Sequence, residues 1–470
     1  MNHASDHGPL LPEAFLDGLE GLPGFDRSAF VAAHQSARRV TSLRVNPAKL
    51  PPGADAAGLI PGDLISGKVP WCEHGFYLSG RPAFVDDPLW HAGAYYVQEA
   101  SSMFAGYALQ QLQSGGRPLT ALDLCAAPGG KSTHLSSVLP AGSVLVSNEV
   151  IRSRSGILLE NLVRWGSPDL IVTQNDPQDF SGLGELFDVV LVDAPCSGSG
   201  LFRRDPAAVA EWSPGHVTHC SLRQRRILAD VLPALKEGGF LIYSTCSYSR
   251  EEDEDIADWL SEELGLTGVS LPVPPEWGIT AAVSPRCSLP VFRFYPDKVE
   301  GEGLFLCVMQ KKGAGGKTPA DGAFRKQRER RPRVPEQLLP AWLEAPSGEW
   351  LPALEQDELW AVPKAVGQCR DRMGGLRIRQ AGIHMGKWLG GRLLPAHALA
   401  LSTRVRQGLP AVPLDTEQAL KYLRKEDAGL ENVPAGWVLA RYKGMNLGWM
   451  KGLGGRVNNY YPKQWRIRKR

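Results

Sequence analysis

The sequence predicts an α/β protein built around a largely parallel β-sheet. Short apolar runs alternate with helical stretches from about residue 120 to residue 310, which is typical of parallel strands joined by crossover helices. Each of the first five runs is followed by a polar or glycine-containing motif. Ligands of such sheets bind beyond the carboxyl ends of the strands, so we expect these motifs to share one edge of the sheet.

The predicted strands are short apolar runs bounded by polar residues or glycine: 120–124, 143–147, 170–173, 187–193, 240–245 and 304–309. Helices are predicted over 132–139 and 152–165, and the second should bury one face made of Ile157, Leu158, Leu162 and Trp165. The acidic run from Glu251 to Asp255 is expected to be the solvated start of another helix, where acids suit the helix dipole.

Composition places the chain among globular proteins. It has 470 residues, 43% of them hydrophobic and 22% charged, which suits about three domains and excludes a disordered protein. We expect no membrane span, because no run of about 18 apolar residues occurs, and no secretion, because the first ten residues are polar and charged. Eight cysteines without a C-x-x-C pair exclude a disulfide scaffold or a zinc ribbon. The expected setting is the cytoplasm, and no metal is expected.

The positive charge is unevenly distributed. Residues 311–335 carry nine Lys or Arg and two acids among Gly and Pro, which predicts an interdomain linker. From Trp437 to the end, nine cations and no acid are interleaved with Trp437, Tyr442, Trp449, Tyr460, Tyr461 and Trp465. Cations with aromatic rings suit an RNA backbone with exposed bases, and the alternative is a solubilising tail on a small β domain. Removing the residues after Ala435 should weaken RNA binding and spare the central sheet, which is expected to be a separate domain.

The first strand leads into a glycine turn made of Cys125, Ala126, Ala127, Pro128, Gly129, Gly130 and Lys131. Glycine lets a backbone approach a ligand closely, and the turn is neither G-x-G-x-x-G nor a P-loop. A nucleotide-like ligand without a phosphate chain, S-adenosylmethionine, is therefore predicted. Glu149 ends the second strand, where an acid commonly holds ribose hydroxyls, and Asp176 follows the third, where it could meet an adenine edge. The alternative for either acid is a helix cap or a surface charge.

Two cysteines occupy similar serine-flanked turns, Cys196 after the fourth strand and Cys246 after the fifth. A lone cysteine is usually small core filler, and that is our interpretation of Cys72, Cys220, Cys287, Cys307 and Cys369. Two cysteines in matching polar turns favour thiol chemistry.

Methylation of carbon 5 of a pyrimidine requires such chemistry. That carbon is a weak nucleophile until a thiolate adds to carbon 6, and a base must later remove the carbon-5 proton so that the thiol can leave. An acid near the ring could hydrogen-bond the ring nitrogen as charge develops there, and Asp193 is placed for this. The residues alone do not decide which cysteine is the nucleophile.

The motifs together resemble the NOL/SUN family of RNA cytosine-5 methyltransferases. The resemblance is carried by Leu122-Asp-Leu-Cys-Ala-Ala-Pro-Gly-Gly-Lys131, Asp193-Ala-Pro-Cys-Ser-Gly198, Ser244-Thr-Cys-Ser247, Ser42-Leu-Arg-Val-Asn-Pro47 and Tyr96-Val-Gln-Glu-Ala-Ser-Ser-Met103. Three further stretches resemble its F-type bacterial branch, which acts on 16S ribosomal RNA: 11–15, 70–77 and 448–462. Pro47 stands where many relatives have Thr, a departure that weakens a role for Asn46.

The resemblance implies a Rossmann-like class I S-adenosylmethionine-dependent methyltransferase sheet with N-terminal and C-terminal PUA-like RNA-binding domains. It implies an N-terminal RNA-binding region at 1–92, a catalytic domain at 93–312, a basic linker at 313–335 and a PUA-like region at 336–470. It assigns the nucleophile to Cys246, product release to Cys196, and the cofactor site to the turn from Cys125 to Lys131 with Glu149, Asp176 and Asp193.

The expected partner is 16S ribosomal RNA within the small subunit, and the expected state is a monomer. Arg203 and Arg204, which follow the Cys196 turn, could contact phosphate or be an ordinary surface pair. Two other functions remain open: the same chemistry on transfer RNA, and a catalytically silent RNA-binding assembly factor.

Overall fold

The computed structural model describes residues 10–36, 38–50, 53, 55–60, 62–113, 115–313, 334–335, 337–344, 346 and 348–468. Nearly all of the predicted linker at 313–335 and the last two cations of the basic terminus therefore lie outside the described residues. Within the described part of the chain, no helix combines the length and apolar character that a membrane crossing requires.

The N-terminal part forms a four-stranded antiparallel sheet in the order β2-β3-β1-β4. Its elements are α1 (Glu13–Leu19), α2 (Arg27–Gln35), β1 (Thr41–Val45), β2 (Ile65–Lys68), β3 (Gly75–Leu78), α3 (Pro88–His91) and β4 (Tyr95–Val97). This sheet continues past residue 92, where we placed the boundary of the catalytic domain.

The central part is a sheet with helices on both faces. Its helices are α4 (Phe104–Gln111), α5 (Gly130–Val138), α6 (Arg152–Trp165), α7 (Pro206–Glu211), α8 (Pro214–Val231) and α9 (Glu254–Glu262). Its strands are β5 (Thr120–Asp123), β6 (Val144–Asn148), β7 (Leu170–Thr173), β8 (Phe187–Asp193), β9 (Leu235–Thr245), β10 (Thr267–Gly268), β11 (Thr280–Val283), β12 (Pro290–Phe294) and β13 (Leu304–Gln310).

The C-terminal part contains two further four-stranded sheets, β14-β15-β17-β18 and β19-β20-β21-β22. Its helices are α10 (Leu338–Trp342), α11 (Lys364–Arg372), α12 (His397–Leu401) and α13 (Thr416–Arg424). Its strands are β14 (Trp350–Glu355), β15 (Glu358–Pro363), β16 (Ile378–Ala381), β17 (Ile383–Leu389), β18 (Arg392–Pro395), β19 (Ala411–Leu414), β20 (Gly436–Tyr442), β21 (Met445–Gly452) and β22 (Val457–Asn459).

The parallel core of the central sheet has the order β7-β6-β5-β8-β9, which confirms the Rossmann-like prediction. The strand order reverses between β5 and β8, the place where a crevice opens at the carboxyl edge of such sheets. The flanks differ from the prediction. β13 pairs with β9 in the antiparallel direction, and β16 from the C-terminal part pairs antiparallel with β7.

Helix α6 has the predicted bounds, but one of the four residues predicted to be buried is exposed. Leu158, Leu162 and Trp165 are buried, whereas Ile157 is 52% exposed. Successive residues of a helix are about 100° apart, so Ile157 and Leu158 cannot both point straight into the core. The buried face packs under the glycine turn that follows β5.

The N-terminal sheet is held against the central one by buried polar side chains. Arg44 donates to Thr133 Oγ1 of α5 at 2.7 Å, and its guanidinium lies 4.5 Å from the centre of the Trp165 ring. Asn46 donates to the carbonyl oxygens of Gly93 and Trp165. The Arg-x-Asn element is therefore an anchor between the N-terminal sheet and the helices that support the cofactor edge.

Candidate active site

The glycine turn lies at the carboxyl end of β5 and is fixed from the neighbouring α6. Arg154 donates to the Ala127 carbonyl at 2.8 Å, and Asn161 donates to the Pro128 carbonyl at 2.8 Å. Gly129 has φ +115°, a left-handed conformation that side chains other than glycine rarely adopt. The turn is thus held in one shape at the carboxyl edge of the sheet.

Two buried carboxyl groups stand beside this turn. Glu149, at the end of β6, is buried and accepts from the backbone N–H of Ile151 at 2.9 Å. Asp123, at the end of β5, accepts from Ser132 Oγ at 2.6 Å through one oxygen, while its other oxygen is buried without a partner. Burial raises the pKa of Asp123 to about 7. These acceptors fit a ligand with an ammonium group and ribose hydroxyls, as S-adenosylmethionine has.

Asp176 lies after β7 at the same edge, but its side chain already has partners. It caps the following turn by accepting from the Gln178 N–H at 3.1 Å, and it forms an ion pair with Arg226 at 3.1 Å. The cap is the alternative that we considered for this residue. A contact with adenine would require Oδ2 to leave Arg226 while Oδ1 keeps the cap. The cofactor role of Asp176 therefore stays a prediction.

Lys131 and Asp193 face each other across the crevice. Lys131 Nζ lies 2.7 Å from Asp193 Oδ2, and Ser244 Oγ donates to Asp193 Oδ1 at 2.8 Å. Burial of the Lys131 ammonium opposes its charge, but the Asp193 carboxylate outweighs this and raises the pKa of Lys131. Asp193 is therefore held at the end of β8 by one residue from the glycine turn and one from β9.

The two cysteines come together beyond Asp193. β8 and β9 are neighbouring parallel strands, and the loops that follow them place Cys196 Sγ 3.1 Å from Cys246 Sγ. The hydrogen bond with Cys246, together with burial, raises the pKa of the Cys196 thiol. Of the remaining cysteines, Cys72, Cys220, Cys307 and Cys369 are buried as predicted, and Cys287 is half-buried.

The acidic run leads into helix α9 as predicted, but the prediction that it is solvated was wrong. Glu252, Asp253 and Glu254 are buried, while Glu251 alone in the run is exposed. Glu254 pairs with the buried Arg293 from β12, and Asp253 accepts from Thr245 Oγ1 at 2.6 Å. A run of acids in a sequence suggests a solvated surface. The hydrogen-bond donors that allow these carboxylates to be buried lie on other strands, so the sequence around the run does not reveal them. Sequence reasoning also missed the buried carboxyl group of Asp123 beside the glycine turn, for which its position just before the turn motif was the available signal.

One of the two arginines predicted to face phosphate is buried instead. The Arg203 side chain is 7% exposed and donates to the carbonyl oxygens of Gly301 and Arg38. Arg204 is exposed. Only Arg204 of this pair is therefore available to a ligand at the surface.

The aromatic residues of the C-terminus are divided between core and surface. Tyr442, Trp449 and Tyr461 are buried, so they cannot stack on bases as predicted. Tyr460 is exposed and Trp437 is half-buried, with their ring centres 4.5 Å apart, and Lys451 Nζ lies 5.2 Å from the centre of the Trp437 ring. We call Trp437, Lys451 and Tyr460 the outer aromatic patch.

Comparison with known proteins identifies the family. The family models that match are described as the N-terminal domain of 16S rRNA methyltransferase RsmF over residues 11–100, 16S rRNA methyltransferase RsmB/F over 113–310, and the methyltransferase RsmF PUA domain over 409–467. The chain is 31% identical to ribosomal RNA small subunit methyltransferase F of Cronobacter sakazakii, covering 97% of this chain and 96% of the relative. It is 32% identical to the protein of that name from Aeromonas salmonicida, covering 97% of each.

The chain belongs to the ribosomal RNA small subunit methyltransferase F family. Its solved neighbours include a methyltransferase homolog protein from Pyrococcus horikoshii, with 27% identity and a TM-score of 0.50 over 64% of this chain and 100% of that one. NSun6 from Pyrococcus horikoshii with SFG, an analogue of S-adenosylmethionine, shares the fold at 19% identity and a TM-score of 0.53, over 64% and 98% of the two chains. This RsmF-family protein is an S-adenosylmethionine-dependent RNA methyltransferase with a C-terminal PUA domain.

Proposed function

We propose that this RsmF-family protein methylates carbon 5 of cytosine in 16S ribosomal RNA through a covalent cysteine–cytosine adduct. The observation that carries the proposal is the thiol pair at the ends of β8 and β9, 3.1 Å apart and adjacent to the Lys131–Asp193 pair. Methyl transfer to an oxygen or to an exocyclic nitrogen does not need a thiol, whereas transfer to carbon 5 of a pyrimidine needs one thiol to add and a base to allow its departure.

The residues divide the work in the following way. Cys246 Sγ bonds to carbon 6 of cytosine, which makes carbon 5 nucleophilic, and Asp193 is assigned to the ring nitrogen, to which its carboxyl group would donate a hydrogen bond in the protonated form as charge develops there. S-adenosylmethionine supplies the methyl group to carbon 5. A base then takes the carbon-5 proton, the electrons of that carbon–hydrogen bond form the carbon-5–carbon-6 double bond, and the Cys246–carbon-6 bond breaks with its electron pair returning to Cys246, which restores the aromatic ring. Cys196 assists this last step. The order of the two cysteines follows the family motifs, since the geometry brings both thiols to the same place.

The cofactor residues have separate tasks in this proposal. The turn from Cys125 to Lys131 lies along the cofactor, with the left-handed Gly129 permitting close approach of its backbone. Glu149 accepts from the ribose hydroxyls, and Asp176 is assigned to the adenine. Asp193 would contact the cofactor as well as the base, and its pairing with Lys131 would fix the carboxylate for both.

We further propose that the small ribosomal subunit in the cytoplasm is the substrate and that the protein acts as a monomer. The matches to the methyltransferase F family over 97% of the chain support the 16S target, and the PUA match supports RNA contact from the C-terminal part.

Two measurements test the proposed function. Purified protein with labelled S-adenosylmethionine should transfer methyl groups to 16S RNA or small subunits from a strain lacking the gene, and digestion should release 5-methylcytosine. Bisulfite sequencing of ribosomal and transfer RNA from the deletion strain should show one or more unprotected cytosines in 16S RNA. Unchanged 16S RNA together with a lost mark in transfer RNA would overturn the ribosomal target. No methyl transfer to any RNA would leave the assembly-factor alternative.

A further inference from the structure

A buried carboxylate joins the two cysteine loops. Glu252, fully buried, accepts four hydrogen bonds: from the Ser197 N–H at 2.8 Å, Ser197 Oγ at 2.5 Å, Ser247 Oγ at 2.7 Å and Gln224 Nε2 at 3.0 Å. Ser197 directly follows Cys196, and Ser247 directly follows Cys246. One side chain therefore binds the residue next to each thiol.

The chemistry of this contact is that of an ionised carboxylate. All of its partners are donors, and only the ionised form of a carboxyl group accepts at every position. Among the described residues, no Lys, Arg or His side chain lies within ion-pair distance of Glu252 (the other acids of the run, Asp253 and Glu254, share Arg293). An unpaired buried charge is costly, so four hydrogen bonds are needed to keep it there.

The charge of Glu252 acts on the Cys196 thiol. After the hydrogen bond with Cys246 and burial, the Glu252 carboxylate adds to the raised pKa of Cys196. On the other side of the pair, a thiolate at Cys246 is close enough to Lys131 to help raise the pKa of that ammonium. The negative charge of Glu252 therefore favours a proton on Cys196.

We propose that Glu252 is a positioning residue for the thiol pair: its carboxylate fixes the two loops in contact, and its negative charge opposes loss of the proton from Cys196. The inference rests on the proposed function only in treating Cys246 as the nucleophile. It assigns to Glu252 no contact with substrate or cofactor.

Alkylation of the free enzyme tests this without RNA or cofactor. The rates at which iodoacetamide modifies Cys196 and Cys246 are measured by mass spectrometry across pH for the wild type, Glu252→Gln and Glu251→Gln. Glu252→Gln keeps the shape of the side chain but removes its charge, so the pH midpoint for Cys196 should fall by about one unit. Glu251 is exposed and adjacent, and Glu251→Gln should leave both profiles unchanged. Loosened loops alone would speed alkylation of both thiols without moving the midpoint, and that result would overturn the proposal.

Kinetics complete the test. Glu252→Gln should lower kcat by about tenfold or more while KM for RNA and cofactor affinity change by less than about twofold, and Glu252→Asp should recover part of kcat. If Glu252→Gln does not fold, Ser247→Ala, which removes one donor and leaves the Glu252 charge less compensated, should instead raise the Cys196 midpoint. An unchanged midpoint and unchanged kcat overturn the proposal. Methyl transfer that persists in Cys246→Ala would instead overturn the proposed function and leave the alkylation result standing.

Discussion

Gly200 has no room for a side chain, and the reason lies in the cysteine loops. Its N–H donates to the Cys246 carbonyl at 2.7 Å, and a Cβ atom at this position would stand 2.5 Å from that oxygen and 2.8 Å from the Gly303 carbonyl oxygen. Both neighbours are backbone atoms, so the loop that carries Cys246 would have to move.

Gly200→Ala should therefore reduce methyl transfer at least about tenfold and lower the free energy of unfolding by about 1–3 kcal/mol. Gly156 is the matched control, because it is exposed on α6 and a Cβ there meets nothing within 4 Å. Gly156→Ala should preserve activity and raise stability by about 0.5–1 kcal/mol. Activity and unfolding measurements on both variants check this, and a fully active Gly200→Ala enzyme would show that the loops tolerate displacement.

At the scale of single residues, the sequence predicts which side chains lie together at the sheet edge, but it does not predict their hydrogen-bond and ion-pair partners. Cys196, Cys246, Asp193 and Lys131 do meet at one edge, because parallel strands end on the same side of a sheet. The partners could not be predicted: Asp176 caps a turn, and Glu252 is buried between two loops that are 50 residues apart in the chain. Such pairings depend on tertiary packing, which local pattern does not encode.

The bounds of the parallel strands in the central sheet agree well with the prediction. Strands β7 and β8 have the predicted bounds, since fully buried strands appear as continuous apolar runs. The antiparallel flanks could not be predicted, because direction depends on long connections: β10, β11 and β12 lie between β9 and β13, and Ile378 of β16 pairs with Thr173 of β7.

The packing of strands β20, β21 and β22 limits the predicted RNA contact of the C-terminus to the outer aromatic patch. Trp437→Ala should remove a stacking surface and weaken RNA binding by about five- to hundredfold. Lys451→Ala should reduce the slope of log affinity against log salt by about 0.7, because one fewer phosphate is neutralised.

The control for this outer aromatic patch is Leu453, which is 40% exposed at the end of β21. Leu453→Ala should leave RNA affinity and its salt dependence unchanged. Filter binding or calorimetry at several salt concentrations measures both. If Trp437→Ala and Lys451→Ala bind RNA like the wild type, the outer aromatic patch does not contact RNA.

Across the whole molecule, the C-terminal part is not a detachable unit. Buried residues of β20 and β21 share a core with β1 and β3, and Arg164 of α6 lies 4.3 Å from the Trp90 ring and 5.0 Å from the Trp465 ring. Truncation after Ala435 would expose this core, contrary to our expectation that it would spare the central sheet. The sequence could not show the shared core, because its two halves lie more than 300 residues apart. Point substitutions are therefore the sharper test of the C-terminus.

The same junction makes stability sensitive to acid. His91, whose ring contacts Tyr461 Oη at 3.1 Å, is buried, and burial lowers its pKa to about 4, while burial lowers the pKa of His397 to about 3. The unfolded chain takes up protons at these histidines below pH 6.5 and the folded chain does not, so the stability present above about pH 6.5 is lost as the pH falls.

Denaturant unfolding between pH 7 and pH 4 should show this loss, at up to about 1.4 kcal/mol per pH unit for each buried histidine. His91→Gln should flatten the pH dependence even if it lowers stability at pH 7. His219 is exposed on α8, and His219→Gln should leave the slope unchanged. Equal slopes for wild type and His91→Gln would contradict the assignment.

The central claim is a covalent adduct on Cys246 that Cys196 helps to release, and trapping tests it most directly. Cys196→Ala, incubated with S-adenosylmethionine and 16S RNA, should add to cytosine, methylate it and stall, giving a protein–RNA band that survives denaturing electrophoresis. Cys246→Ala and the double variant should give no band, while all three retain cofactor affinity. A band from Cys246→Ala but none from Cys196→Ala would reverse the two roles, and no band from either would contradict the covalent mechanism.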